Sequence, residues 1–244
     1  MGIVLGFTTA RSLDWKRGVA ANVAARLAAD GVARVAVVDA DPRSCDVGDR
    51  LGMTVRGRLE WPDLTVVPLS VSAKPAMTAG HIRSLADRFD IVVVDLPAGA
   101  GAPGPVLESG LLERVDRLVV MTELSVAALR STRRWAELVS WAKNAGHVQH
   151  DVEVVAAVCD EEVADDGARS RLATTLGLPV VASVPQLWGR IPPNLGFGPT
   201  LGFPVLDQAL RSVALLDATG NSFHADSSNG QSCAPAHAAV SSVK

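Results

Sequence analysis

Four short segments carry residues able to do chemistry. The first is Thr8-Thr9-Ala10-Arg11-Ser12-Leu13-Asp14-Trp15-Lys16-Arg17-Gly18, with Arg11 and Lys16 five residues apart and Arg17 beside them. Two cations at that spacing, ahead of a helix, can hold an anion. The second is Asp39-Ala40-Asp41-Pro42, and the third is Asp95-Leu96-Pro97-Ala98-Gly99-Ala100-Gly101. Their carboxylates either cap the segments that follow or take part in a polar site. The fourth, Thr122-Glu123, is shorter. Lys16 is informative because lysine is scarce: of 23 basic residues only Lys16, Lys74, Lys143 and Lys244 are Lys. Its plain role is a solvated side chain at a helix start, where the helix dipole mildly disfavours a cation.

Each of these segments follows a run that reads as a strand. Ile3 to Phe7, Arg34 to Val38, Leu64 to Leu69, Ile91 to Val94, Leu118 to Met121, Val152 to Val158 and Val180 to Val184 are apolar and mostly β-branched. Unbroken apolar runs, without polar alternation, are those of strands covered on both faces. Between them apolar residues recur at helical spacing. Val19, Val23, Ala24 and Leu27 mark a helix over Gly18 to Ala29, with Gly31 as its stop. Further helices are expected at His81 to Arg88, about 125–145, about 166–177 and about 203–216. The alternation predicts an α/β fold: a doubly wound, mainly parallel sheet with helices on both faces, in three layers. In such a sheet the C-terminal strand ends, facing helix N-termini, are where ligands bind. All four chemical segments fall there.

Length and composition agree. The chain has 244 residues, 48% hydrophobic and 20% charged, with a net charge of −3. That suffices for a buried core and excludes disorder as a whole. One domain is expected over 1–216. The Ser-, Asn-, Ala- and His-rich 217–244 is expected to be a disordered tail. No run of 18 apolar residues occurs, so no membrane-spanning segment is expected. Met1-Gly2-Ile3-Val4 lacks the basic start of a secretory leader. Cys45, Cys159 and Cys233 are scattered, as free thiols are. A cytoplasmic protein is therefore expected, and the excess of Arg over Lys with much Ala points to a GC-rich bacterial genome.

The stretch from Asn22-Val23-Ala24 to Asp39-Ala40-Asp41-Pro42, the segment Phe89-Asp90-Ile91-Val92-Val93-Val94-Asp95-Leu96-Pro97-Ala98-Gly99, and the order of elements carry a resemblance. The chain resembles the MinD/ParA family of deviant Walker A ATPases, including TadZ/CpaE-type proteins of pilus assembly, over about residues 2–216. The resemblance implies a P-loop ATPase fold with ATP and Mg²⁺ as cofactors. It implies that Arg11 stands at the signature lysine, Lys16 at the Walker lysine, and Arg17 at the residue after it. Asp39 and Asp41 match the switch I pair, the second orienting the attacking water. Asp95 matches the Walker B carboxylate that reaches Mg²⁺ through water, and Asp39 joins it near the metal. Gly99 matches the switch II glycine at the γ-phosphate.

The loop departs from the family pattern Lys-Gly-Gly-x-Gly-Lys-Ser/Thr. Ser12, Leu13 and Trp15 occupy the three glycine positions, and Arg17 stands in place of the hydroxyl that holds Mg²⁺. Such a loop relies on converging backbone N–H groups in conformations that glycine reaches freely. Asp14 adds a like charge beside a polyanion. Cys159-Asp160 replaces the asparagine the family often has near the adenine. The expected function is therefore a degenerate, hydrolysis-impaired relative acting as a positioning or assembly scaffold for pilus or secretion machinery, septum or DNA cargo. The alternative is an active dimeric ATPase whose site a dimer mate or partner completes.

Partners expected on this reading are proteins and a second copy of the chain. Arg130, Arg133 and Arg134 lie within about one helical turn and form a candidate DNA patch, although a solvated face explains them as well. The five histidines form no ligand cluster. Trp15 and Trp188 are expected in loops at the ligand end, and Trp135 and Trp141 in the core. The basic amphipathic C-terminal helix by which MinD-type proteins reach membranes is not found.

Overall fold

A computed structural model describes residues 2–9, 15–29, 33–41, 47, 51, 63–68, 75–97, 110–148, 152–158 and 166–183. Seven strands make one sheet: β1 (Ile3–Thr9), β2 (Val35–Asp39), β3 (Leu64–Pro68), β4 (Ile91–Asp95), β5 (Arg117–Thr122), β6 (Glu153–Val158) and β7 (Val180–Ser183). Their order is β3-β2-β4-β1-β5-β6-β7, and every neighbouring pair is parallel. The helices among the described residues are α1 (Trp15–Ala29), α2 (Pro75–Ala86), α3 (Val126–Asn144) and α4 (Asp166–Leu176), with a 3₁₀ turn at Leu111–Arg114.

Strand alternation divides the apolar side chains between two layers. On one face Leu5, Phe7, Val35, Val37, Ile91, Val93, Val119 and Met121 pack against α1, with Val47 and Leu51. On the other, Val4, Ala36, Val38, Val92, Val94, Leu118 and Val120 meet Ile82 and Leu85 of α2 and Trp135 and Val139 of α3. Ala156 and Val158 carry that second layer on to Leu172 and Leu176 of α4. The sheet is thus covered on both sides, as its unbroken apolar strands require. From Gly18 to Ala28 every residue of α1 except Arg26 is buried, so the helix is enclosed well beyond one apolar stripe.

Five boundaries correct the reading of the sequence. The helix α1 begins at Trp15 rather than Gly18, which puts Lys16 and Arg17 in its first turn. The helix α2 begins at Pro75, six residues before His81. The Ser/Ala/Lys/Pro stretch reads as a turn, yet proline fits a first helical turn, where its missing N–H has no intrahelical partner to lose. Strands β1, β2 and β4 run on to Thr9, Asp39 and Asp95. The polar residues expected just past the strands are held within the ladder itself. The 3₁₀ turn, which the sequence reading lacks, follows Gly110 at φ 66° and buries Leu111 and Leu112. The expected helix at 203–216, the tail 217–244, Val184 and Trp188 lie outside the described residues.

A polar rim at the C-terminal edge of the sheet

Among the described residues, α1 after β1 and Val47 and Leu51 after β2 pack on one face, while α2, the 3₁₀ turn, α3 and α4, which follow β3, β4, β5 and β6, pack on the other. Along the order β2-β4-β1-β5, neighbouring strands therefore send their chains to opposite faces. That reversal opens a crevice at the C-terminal edge, the usual ligand position of an open α/β sheet.

Polar side chains concentrate there. The buried polar residues among those described are Thr8, Thr9, Asn22, Asp39, Asp41, Asp95, Thr122 and Thr132. Six of them, all but Asn22 and Thr132, belong to the ends of β1, β2, β4 and β5 or the residues just past them. Asp95 is 0% exposed and Asp39 and Asp41 are each 3% exposed. Asp39 and Asp95 are ladder partners, so their Cα atoms stand about 4.8 Å apart. Both share the parity of Val37 and Val93 and so point to the α1 face. The chain past β2 stays tied in, because the Ala40 N–H donates to the Asp95 carbonyl at 3.0 Å. Leu96 N–H donates to the Phe7 carbonyl at 2.9 Å, and Thr8 Oγ1 donates to the Pro97 carbonyl at 3.1 Å.

Burying carboxylates costs several kcal/mol each unless positive charge or hydrogen bonds compensate. Asp39 has part of that compensation from the backbone. The Val47 N–H donates to its Oδ2 at 3.2 Å, and the Val47 carbonyl accepts the Leu51 N–H at 3.1 Å. Asp39 thus holds the backbone of the segment that follows β2. The N-terminal end of α1, on the same face, adds the positive end of a helix dipole.

Of the expected site residues, the structure brings Asp39, Asp41 and Asp95 to one rim. Lys16 and Arg17 are in the first turn of α1, with side chains outside the described residues. Arg11, Gly99, Cys159 and all three cysteines are outside them too. Among the described residues no group of three or more His, Cys, Asp or Glu is arranged to hold a metal ion. A hard divalent cation at Asp39 and Asp95 would therefore draw further oxygens from a ligand such as nucleotide phosphate. The rim also includes Thr8, Thr9 and Thr122, which the sequence places at strand ends without a role. Their signal is a hydroxyl closing an otherwise apolar run.

Arg130, Arg133 and Arg134 are exposed on α3, across the sheet from the carboxylates, and Arg133 is paired with Glu137 at 3.1 Å. Trp135 is buried as expected, but Trp141 is 55% exposed. Its ring leans on His147, with centroids 5.5 Å apart. The expectation of a core Trp141 is therefore wrong: it occupies the outer face of α3, opposite Val139 and Ala142.

The strand order and the two helical layers match the fold of the MinD/ParA ATPases. No protein-family model matches the chain, and no curated protein matches it in sequence. Solved structures match the fold closely. MinD of Pyrococcus horikoshii, complexed with Mg-ADP, aligns with TM-score 0.68 and 16% identity over 88% of this chain and 95% of that one. A ParA family ATPase from Chlorobium tepidum aligns with TM-score 0.65 and 19% identity, over 88% and 99%. MinD in the MinC:MinD complex of Aquifex aeolicus aligns with TM-score 0.65 and 16% identity, over 91% and 98%. No described helix is long and apolar enough to cross a membrane.

Proposed function

We propose that the protein is a positioning or assembly scaffold of MinD/ParA type, with a degenerate Walker A loop and little or no ATP hydrolysis. One observation carries the reading: the carboxylate framework is built, while residues 11–17 lack every glycine of the loop that should face it. Asp39 and Asp95 are adjacent in the ladder and buried on the α1 side. In register with the family pattern, Ser12, Leu13 and Trp15 replace its three glycines. Framework without loop fits a protein that keeps the family's shape for recognition and has reduced its turnover.

On this reading Arg11, Lys16 and Arg17 are the anion-facing groups, and Asp95 with Asp39 would hold Mg²⁺ together with phosphate oxygens. Gly99 would meet the γ-phosphate, and Asp41 would orient water. Bound Mg²⁺ would supply charge neutralisation at the phosphates. Protein partners and a homodimer follow from the fold's relatives, one of which is seen as MinC:MinD. Pilus or secretion machinery of the TadZ/CpaE kind is one candidate cargo, and septum and DNA are others. DNA binding through Arg130, Arg133 and Arg134 is not favoured, since Arg133 is engaged by Glu137.

A second reading has one observation behind it. Asp39, Asp41 and Asp95 are all buried at the rim, and a chain released from catalysis has no need to bear that cost. It is an active ATPase whose loop is completed by a dimer mate or partner, Arg11 reaching across. Calorimetry with ATP and ADP, with and without Mg²⁺, and a turnover assay on the wild type, Lys16→Ala and Asp41→Ala separate the two. The scaffold reading expects negligible turnover in all three proteins. Mg²⁺-dependent turnover abolished by either substitution overturns it in favour of the second.

A further inference from the structure

Thr9 is the last residue of β1 and is 0% exposed. Its Oγ1 is buried, and among the described residues it has no hydrogen-bond partner. Its neighbour Thr8 donates to the Pro97 carbonyl, and Thr132 in α3 donates to the Ala128 carbonyl at 3.0 Å. A buried hydroxyl without a partner costs stability, and native chains seldom keep one without a use. A valine would fill the same volume without that cost.

Its position indicates the use. Thr9 has the parity of Phe7, so its side chain points to the α1 face, the face of Asp39 and Asp95. Asp95 is the ladder partner of Phe7. Thr9 is therefore one strand over and two residues further toward the edge, its Cα about 8 Å from that of Asp95 by strand geometry. The three side chains line one wall under the N-terminal end of α1, a helix of 15 residues. The two carboxylates attract a cation. A hydroxyl and carboxylates are the hard oxygen donors a small divalent cation takes. The sequence lacks the hydroxyl that the resemblance expects after the Walker lysine, because position 17 is Arg.

We propose that Thr9 supplies that missing hydroxyl, as a side-chain ligand to a divalent cation held against Asp95. The inference rests on the nucleotide-site reading above and adds to it a ligand from a strand rather than from the loop. It also gives a reason for the retained carboxylates: the cation site has moved toward the sheet as the loop changed.

The test uses the full-length protein, Mn²⁺ as spectroscopic probe, ADP as phosphate donor, and the variants Thr9→Val and Thr9→Ser. In the wild type, electron paramagnetic resonance should show Mn²⁺ bound in the presence of ADP. In Thr9→Val the Mn²⁺ affinity should fall about tenfold or more, the size of loss seen when a metal site loses an oriented partner. Thr9→Ser should stay within about threefold of the wild type, because it keeps the oxygen. Without metal, Thr9→Val should melt at or above the wild-type temperature, since it removes an unsatisfied hydroxyl.

Wild-type Mn²⁺ affinity in Thr9→Val overturns the inference, as does equal weakening by Ser and Val, or no Mn²⁺ binding by the wild type at millimolar ADP. A metal-free Thr9→Val that melts well below the wild type overturns it too, by giving the hydroxyl a structural role. Weakened ADP binding by Thr9→Val in the presence of a chelator would make Thr9 a phosphate contact and equally overturn it. These outcomes are distinct from failure of the scaffold reading, which is decided by turnover and its dependence on Lys16 and Asp41.

Discussion

The two edges of the sheet handle charge in opposite ways. At the N-terminal edge the acids are near solvent and closed off by neighbours. Asp90 takes the Arg34 N–H at 2.8 Å and pairs with its guanidinium at 3.2 Å, both side chains more than half exposed. Arg117 and Glu153, ladder partners, pair across β5 and β6. Asp116 Oδ2 accepts the Val4 N–H at 2.7 Å. Each bond fixes one strand against its neighbour. At the C-terminal edge Asp39, Asp41 and Asp95 are buried beside three threonines. The strands are the same; only the end differs. Where acids serve register they are left in water, because a wet ion pair costs little. Where they are taken out of water, burial has to be offset by hydrogen bonds and charge nearby, as the Val47 N–H does in part for Asp39.

That contrast can be broken by substitution. The largest effect expected is at the buried edge: Asp95→Asn should lower Mg²⁺-dependent ADP affinity by about a hundredfold, roughly 2.7 kcal/mol by the tenfold rule. Calorimetry reads it, and an unchanged Mg²⁺ dependence would dissolve the distinction between the edges. Next is Asp116→Ala, which strands the Val4 N–H and should destabilise by about 1–3 kcal/mol in urea unfolding. No change in ligand affinity is expected from it. At Asp39 both roles meet, and two variants separate them. Asp39→Asn keeps an acceptor for the Val47 N–H, while Asp39→Ala loses it, so Ala should be about 1 kcal/mol less stable than Asn. Equal stabilities would remove the capping role.

The smallest effect concerns pH. The hydrogen bond and charge of Arg34 hold the Asp90 carboxyl below its ordinary value. A depressed carboxyl adds stability above its unfolded pKa, and that contribution is lost as pH falls through the lower folded value. Wild type and Asp90→Asn should therefore differ most above about pH 4, the ordinary carboxylate range, and converge in stronger acid. The gap should narrow in 1 M salt, where exposed pairs are screened. A gap that widens with acid would contradict the assignment.

Much of this was legible in the sequence, and the misses have physical causes. The seven strands were readable because Val and Ile runs covered on both faces leave no polar alternation. Their last residues were not, because Thr9, Asp39 and Asp95 are polar and hydropathy ends one or two positions early, although the ladder continues through them. Pro75 misplaced the start of α2, since proline punctuates loops and first helical turns alike. Trp141 was misassigned because an aromatic on an amphipathic helix is usually inward; its position relative to Val139 and Ala142 puts it outside. Asp39 and Asp95, 56 residues apart, are neighbours only because β4 enters between β2 and β1. No local pattern encodes that order, and the family resemblance alone linked the two acids.

The order β2-β4-β1 also has a consequence in time. β1 and β2 leave the ribosome first, yet they never pair with each other; each pairs with β4. Until residue 95 has emerged, neither has its central partner, and the two acids have no ladder to share. Parallel pairing across long separations is slow for the loop entropy it must overcome. The Asp39–Asp95 pair therefore forms only when β4 takes its place between β2 and β1. Nascent chains shorter than β4 are held apart from the chemistry that the finished edge presents.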